Sequence, residues 1–326
     1  MFKNPLKRLN LHFYMSGDEH KCLQDSAIIE PMTAFKEDGS NLTITFLSLN
    51  RVHLSIKLIN SLKSCLPSFR GKVLVVDNGS ELEQIELLKQ HIEKIDLDID
   101  IKELGDNFGV ARGRNISFAA VTTDWLMALD NDIYFVDNPL FHIKNCIDKL
   151  GVQFLNLPLL QPNQREAYSF GGNLYFSPYK KSYRVACRSR FNGSFFNRFN
   201  QSLKTKLFLE QPFLSTFLFG GASVIKKQSF LEQGGYDENM FIGYEDIDFS
   251  LRLYKKGIKI GNICKYCLVH SHEASSEEAD IDYEKVRHSR KLIQASGEYF
   301  LGKHNLHVWI DDNWIQVREE ELGLNS

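Results

Sequence analysis

At 326 residues, 43% hydrophobic and 25% charged, the chain has the apolar content of an ordinary globular protein and the length of one large domain or two small ones. Lys+Arg 39 against Asp+Glu 41 leaves a net charge of -2, which excludes whole-molecule attraction to nucleic acid as the basis of function. No apolar run approaches the roughly 18–20 residues of a membrane-spanning helix, the basic N-terminus lacks the apolar core of a secretion signal, and six cysteines are too few for a disulfide scaffold, so a cytoplasmic protein with reduced thiols is expected.

Residues 1–40 show no sustained period and read as an N-terminal extension. Thr43 to Leu49 is β-branched and apolar, as a buried strand should be. From Arg51 to Leu66 the apolar positions Val52, Ile56, Ile59, Leu62 and Cys65 recur at spacings of four and three, which predicts one helix face stopped by Pro67. Lys72 to Val76 is a second short strand. Ser80 and Glu83 then predict a capping box opening a helix with Leu82, Ile85, Leu88 and Ile92 on its apolar face. Leu104 to Asn107 leads into a helical stretch through Ala120, and Trp125 to Leu129 is a further buried strand. This alternation predicts an α/β fold with a mostly parallel sheet and helices on both faces. One unit spans 41–276, and residues 277–326, with Trp309 and Trp314, form a C-terminal extension expected to pack back on it.

In open α/β sheets, ligands bind beyond the carboxyl ends of the strands. Three such ends carry polar groups here: Ser48, Asn50 and Arg51 after the first strand, Asp77 to Ser80 after the second, and Asp130, Asn131 and Asp132 after Trp125–Leu129. Turns favour Asp, Asn and Gly in any case. The Asp-Asn-Asp turn is sharper, because its two carboxylates repel unless a cation, such as Mg²⁺ or Mn²⁺ shared with phosphate oxygens, sits between them. A second cluster is Glu245, Asp246 and Asp248 opening an amphipathic helix, where acidic residues also complement the helix dipole. Gly220-Gly221 and Gly234-Gly235 precede it and let backbone pass close to a ligand. A carboxylate at that helix start is expected to stay ionised, as an acceptor of a hydroxyl proton must be. A third is His270 and His272, one residue apart after a strand-like Cys267-Leu-Val, suited to a metal or phosphate contact. Cys264 and Cys267 lie too near them to close a zinc tetrahedron and read as alternating residues of a buried strand.

In order and spacing these motifs, with Asn107-Phe-Gly109 and Arg114-Asn115 between the second and third, resemble the inverting family 2 glycosyltransferases of GT-A fold, of bacterial surface-polysaccharide type, over about Thr43 to Ser276. The resemblance implies a single Rossmann-like catalytic domain and a nucleotide-sugar donor, UDP- or dTDP-linked, bound by Ser48, Asn50, Arg51, Asp77, Asn107, Arg114 and Asp130. Within that set, Asp77 resembles the carboxylate that reads the base, Arg114 the basic residue beside it, and Asp130 the residue facing ribose. Asp132, with Asp130 and either His270 or His272, resembles the Mn²⁺ or Mg²⁺ site, and Asp246, with Glu245 beside it, the catalytic base. The first strand ends in Ser48-Leu49-Asn50-Arg51, without the aromatic residue the family commonly places there. The chemistry agrees, since a diphosphate leaving group needs its charge neutralised and the acceptor hydroxyl needs one positioned base.

From Ala167 to Leu209 there is no Asp or Glu, while Lys180, Lys181, Arg184, Arg188, Arg190, Arg198, Lys204 and Lys206 alternate with aromatic rings. This segment reads as an insert meeting an acceptor or an anionic membrane surface, which places the protein peripherally on the inner face of the cell membrane with a glycan or lipid-linked saccharide as acceptor. Two other readings are a sugar-1-phosphate nucleotidylyltransferase, which would want a Gly-rich phosphate loop after the first strand, and a non-enzymatic lipid- or RNA-binding module. The latter leaves three acidic strand ends without a purpose.

Overall fold

The computed structural model describes residues 34–189, 211–271, 284–309, 315–317 and 320. Its centre is an eight-stranded sheet in the order β11-β13-β6-β12-β4-β1-β2-β3. Strands β1 (Leu42–Ser48), β2 (Lys72–Asp77), β3 (Ile99–Glu103) and β4 (Trp125–Leu129) run parallel to one another. Beyond them β12 (Ala222–Lys226) is antiparallel to both β4 and β6 (Phe154–Asn156), β13 (Ile260–Asn262) is parallel to β6, and β11 (Phe213–Ser215) closes that edge.

The pleat explains the layers. Trp125, Met127 and Leu129 point to one face, against Leu58, Ile59 and Leu62 of α1 (Val52–Cys65) and Ile143 and Ile147 of α4 (Leu140–Leu150). Leu126 and Ala128 point to the other, where Phe118 of α3 (Gly109–Ala120), Phe230 of α5 (Lys227–Glu232) and Phe249 of α6 (Glu245–Lys255) pack together, Phe118 edge-on to Phe230 with centroids 4.8 Å apart and Phe230 tilted against Phe249. Phe35, before the first strand, packs edge-on against Trp125 and is buried, so the core reaches back into the expected extension. Residues 1–33 of that extension lie outside the described residues.

Helix α2 (Leu82–Ile92) differs from expectation at its start. Glu81 is its N-cap and no side chain caps it. The Ser80 hydroxyl is drawn elsewhere, donating to Asp77 and accepting from the Asn50 N–H at 2.7 Å, so no capping box forms. Leu82 is 78% exposed and does not belong to the apolar face.

Two smaller sheets flank the main one. β5 (Ile133–Phe135), β14 (Leu268–His270), β7 (Leu159–Leu160) and β8 (Ala167–Ser169) form one. The other is the hairpin β9 (Gly172–Tyr179) and β10 (Ser182–Ser189), joined by β15 (His307–Val308) in parallel with β10. Phe176, Val185, Met240, Leu251, Phe300 and Val308 make a third apolar cluster between this sheet, α6 and the helix α7 (Arg290–His304). Among the described residues, no helix is long and apolar enough to cross a membrane.

Candidate active site

A cleft of about 470 Å³ opens beyond the carboxyl ends of β1 and β4. Register sets its floor: Phe46 of β1 pairs with Leu129 of β4 and Ser48 with Asp77 of β2, so all three strands end along one edge.

Asp130 and Asp132 follow β4 directly. The antiparallel pairing of β14 with β5 places His270 opposite Ile133, so its imidazole arrives beside Asp132, with Nε2 3.3 Å from Oδ1. The Ser271 N–H donates to the Asp132 carbonyl at 2.8 Å and locks the two loops. The imidazole stacks on Tyr168 at 4.6 Å with rings nearly parallel. One ligand atom each from Asp130, Asp132 and His270 lies within 4.8 Å of the others. Burial raises the Asp132 carboxyl's pKa, opposed by His270 and reinforced by Asp130. His272 lies outside the described residues.

Arg114, carried on α3 and buried, spans the cleft floor. One guanidinium nitrogen donates to Asp130 at 2.6 Å and another lies 3.8 Å from Glu245. Gly220 and Gly221 are explained by this bridge: a Cβ on Gly220 would strike the Arg114 guanidinium, and one on Gly221 the Asp130 carboxylate. The close approach expected of this pair is thus to the site's own charged groups.

Helix α6 starts from Tyr244, which takes the left-handed conformation at φ 69. Glu245 is buried, and Asp246 faces the cleft. Burial, then the Glu245 charge, push Asp246 up to about 7, although Arg114 and two backbone N–H groups work the other way. Desolvation therefore outweighs the helix terminus, and the expectation of a permanently ionised carboxylate is corrected: Asp246 titrates near neutrality. Asp248 plays a different part. Fully buried, it accepts from Arg252 Nε at 2.9 Å, from His304 Nε2 at 2.6 Å and pairs with Lys303 at 2.7 Å. Burial opposes its charge, yet the His304 and Lys303 bonds hold it down at about 2. It ties α6 to α7.

The remaining expected donor residues divide. Arg51 and Asn107 line the cleft. Asn78, which also lines the cleft, connects Asn107 to α3, accepting from the Phe108 N–H at 3.1 Å and donating to Asn107 Oδ1 at 3.1 Å. Ser48, Asn50 and Asp77 stand behind the lining. Ser48 bonds Ser55, Asn50 accepts from the Glu81 N–H at 2.9 Å, and Asp77 receives the Gly79 and Ser80 N–H groups at 3.2 and 3.0 Å. Cys264 and Cys267 are free thiols, buried in the turn before β14 rather than alternating within a strand.

Several lining residues escaped the sequence reading. Arg287 and His288 join Arg51 beside Asp132, and Glu284 holds this group together, 3.8 Å from Arg51 and 3.0 Å from His288. The signal was the cationic run Lys285 to Arg290. Trp309 enters from the strand β15 and carried no local motif at all.

Comparisons with known proteins point to sugar transfer. Glycosyl transferase family 2 matches residues 44–156, and the N-terminal domain of galactosyltransferase matches residues 208–273. Over 44–156 the chain is thus similar to the family 2 glycosyltransferases. Among curated relatives, a dTDP-rhamnosyl transferase RfbF of Shigella flexneri is 26% identical over 72% of the chain and 70% of its own length. An inactive polypeptide N-acetylgalactosaminyltransferase-like protein 5 of Macaca fascicularis is 24% identical over 83% of the chain, which spans 58% of that relative. Among solved structures, GalNAc-T7 with UDP, GalNAc and Mn²⁺ aligns with TM-score 0.54 at 15% identity over 87% of this chain and 57% of its own. The mannosyltransferase PcManGT of Pyrobaculum calidifontis, in complex with GDP-Man and Mn²⁺, aligns with TM-score 0.50 at 15% identity over 91% and 74%. These likenesses establish that the chain has the GT-A fold.

Proposed function

We propose that the protein transfers a sugar, with inversion at the anomeric carbon, from a nucleotide-sugar donor to a hydroxyl of a glycan or lipid-linked saccharide. The observation that carries this reading is the Asp246 carboxyl, pushed up to about 7 in the same cleft as the Asp130, Asp132 and His270 group, with Arg114 fixed between them. A base with a pKa near the working pH combines the ionised form with the strongest proton affinity compatible with it. Asp246 would accept the proton of the acceptor hydroxyl as its oxygen attacks the anomeric carbon and the bond to the diphosphate breaks. Glu245, facing Arg114, keeps that guanidinium in place and raises Asp246.

The residues at the β4 end fit a divalent cation. Asp132 Oδ1 is buried with no hydrogen-bond donor, facing His270 Nε2. Two carboxylates and an imidazole suit Mn²⁺ better than Mg²⁺, which prefers oxygen alone. A bound ion would supply neutralisation of charge on the departing diphosphate. Arg51 and Arg287, close enough to lower the Asp132 pKa, put two further cations beside that position.

The Shigella relative's name favours a dTDP-linked donor and a rhamnosyl group, and the GalNAc-T7 complex keeps UDP in view. Lys180 and Lys181 stand exposed at the β9–β10 turn, Lys180 Nζ 5.2 Å from the centre of the Tyr179 ring, which suits peripheral contact with anionic lipid. The cations of the basic segment from residue 190 to 209 lie outside the described residues.

The test is turnover of a panel of UDP-, dTDP- and GDP-sugars with p-nitrophenyl glycosides as acceptors, in Mn²⁺ or in excess chelator. Product of inverted configuration with one donor, lost in chelator, is expected. Full activity in chelator overturns the cation's role, and retained configuration overturns the single-base mechanism.

A further inference from the structure

We infer that Trp309 is the platform on which the acceptor's sugar ring stacks, an inference resting on the glycosyl-transfer reading above. Trp309 lines the cleft yet is 51% exposed, unusual for the largest apolar side chain at a site otherwise rich in charge. It is held rigidly. The Arg184 guanidinium lies 3.8 Å from the centre of its ring, and its N–H donates to the Val185 carbonyl at 3.2 Å, continuing the β10–β15 pairing. A cation on an aromatic face both anchors the ring and shields it from water on that side.

Its position follows from Tyr244. That residue also lines the cleft, directly precedes Glu245 and Asp246, and donates its hydroxyl to the Trp309 carbonyl at 3.4 Å. Trp309 is thereby tethered to the turn that presents Asp246. The acceptor hydroxyl must reach Asp246, so the acceptor ring belongs on this side of the cleft, away from the floor beneath Asp130. A pyranose has one face of C–H groups with slight positive charge, which complements the negative face of an indole ring. Val286, Ile293 and Ile315 extend the same wall with apolar surface. All of these residues lie beyond 273, where the second family match ends.

The test is saturation-transfer NMR with methyl hexopyranosides, α and β, added to the full chain in Mn²⁺ and UDP or dTDP. Transfer to the C–H protons of one ring face is expected, with affinity falling about tenfold or more in Trp309→Ala and largely kept in Trp309→Phe. Arg184→Met, which removes the backing cation, should fall between them. Nucleotide binding by the variants, followed by thermal shift, should match the native chain. No transfer to any glycoside, or undiminished binding in Trp309→Ala, overturns the inference. Because the readout needs no turnover, a failure of glycosyl transfer itself appears separately, as absence of product in the donor panel.

Discussion

On the proposed mechanism, Asp246 sets the pH behaviour of the site. A base must be ionised to act, and burial puts its titration near 7, so kcat/KM should rise about tenfold per pH unit below that point and level off above it. Asp246→Asn should lower turnover by roughly 10²–10⁴-fold while nucleotide affinity holds. The same substitution should stabilise the fold. The folded state binds the proton more tightly than an unfolded Asp of pKa 3.8, so stability is lost as pH rises from 3.8 to about 7. The gain in melting temperature from Asp246→Asn should therefore be larger at pH 8 than at pH 5, and an equal gain at both would contradict the raised pKa. The acids themselves, though not the raised pKa, were visible in the residue types: Asp130, Asp132 and Asp246 sit in short acidic clusters that stand out in a line of text. Arg287, His288 and Trp309 did not, because a residue that reaches a site from a distant part of the chain has no neighbours in sequence that share its purpose.

At the scale of elements, β1, β2, β4 and α1 were legible within a residue or two, because burial on both sides leaves an apolar run and a helix leaves a three-and-four spacing. Strand β3 was not. It lies at the sheet's edge, and its Ile99-Asp-Ile-Lys-Glu103 carries the charges that keep an edge from pairing with another chain. The start of α2 was misplaced because the Ser80 hydroxyl serves the Asp77 turn. Helix α6 combines two jobs in its first turn, which presents Asp246 and grips α7 through Asp248. Asp248→Asn removes a buried charge with cationic partners on two elements, a change of about 3–5 kcal/mol by analogy with broken buried pairs, so a clear drop in melting temperature at pH 7 is expected. With its pKa depressed to about 2, the native carboxylate contributes fully above 3.8 and ceases to as pH falls through 2. The difference between native and variant should vanish over that acid window.

Across the whole molecule, the proposed cation site joins the main sheet to a flanking one, since Asp130 and Asp132 follow β4 while His270 ends β14. An ion bound there would hold the two layers together and favour the folded state by mass action. Mn²⁺ at a hundred times its Kd should add about 2.7 kcal/mol, read as a rise in melting temperature. Asp132→Ala should abolish that rise without unfolding the protein, and a rise that survives the substitution would place the ion elsewhere.

The pairing of β15 with β10 has a consequence for how the molecule is built. Ser182 and Asn305, bonded at the end of this junction, are 123 residues apart in sequence. Contacts between such distant segments form late, because the intervening chain must surrender its freedom before they yield any stabilisation. On the floor of the cleft the strands pair across shorter spans, 29 residues from Thr43 to Lys72 and 83 from Leu42 to Trp125. Refolding should thus assemble β1, β2 and β4 before the wall that carries Trp309. On the proposed function, a donor bound to such a molecule would meet solvent rather than a sugar hydroxyl, and hydrolysis would compete with transfer until the wall had closed.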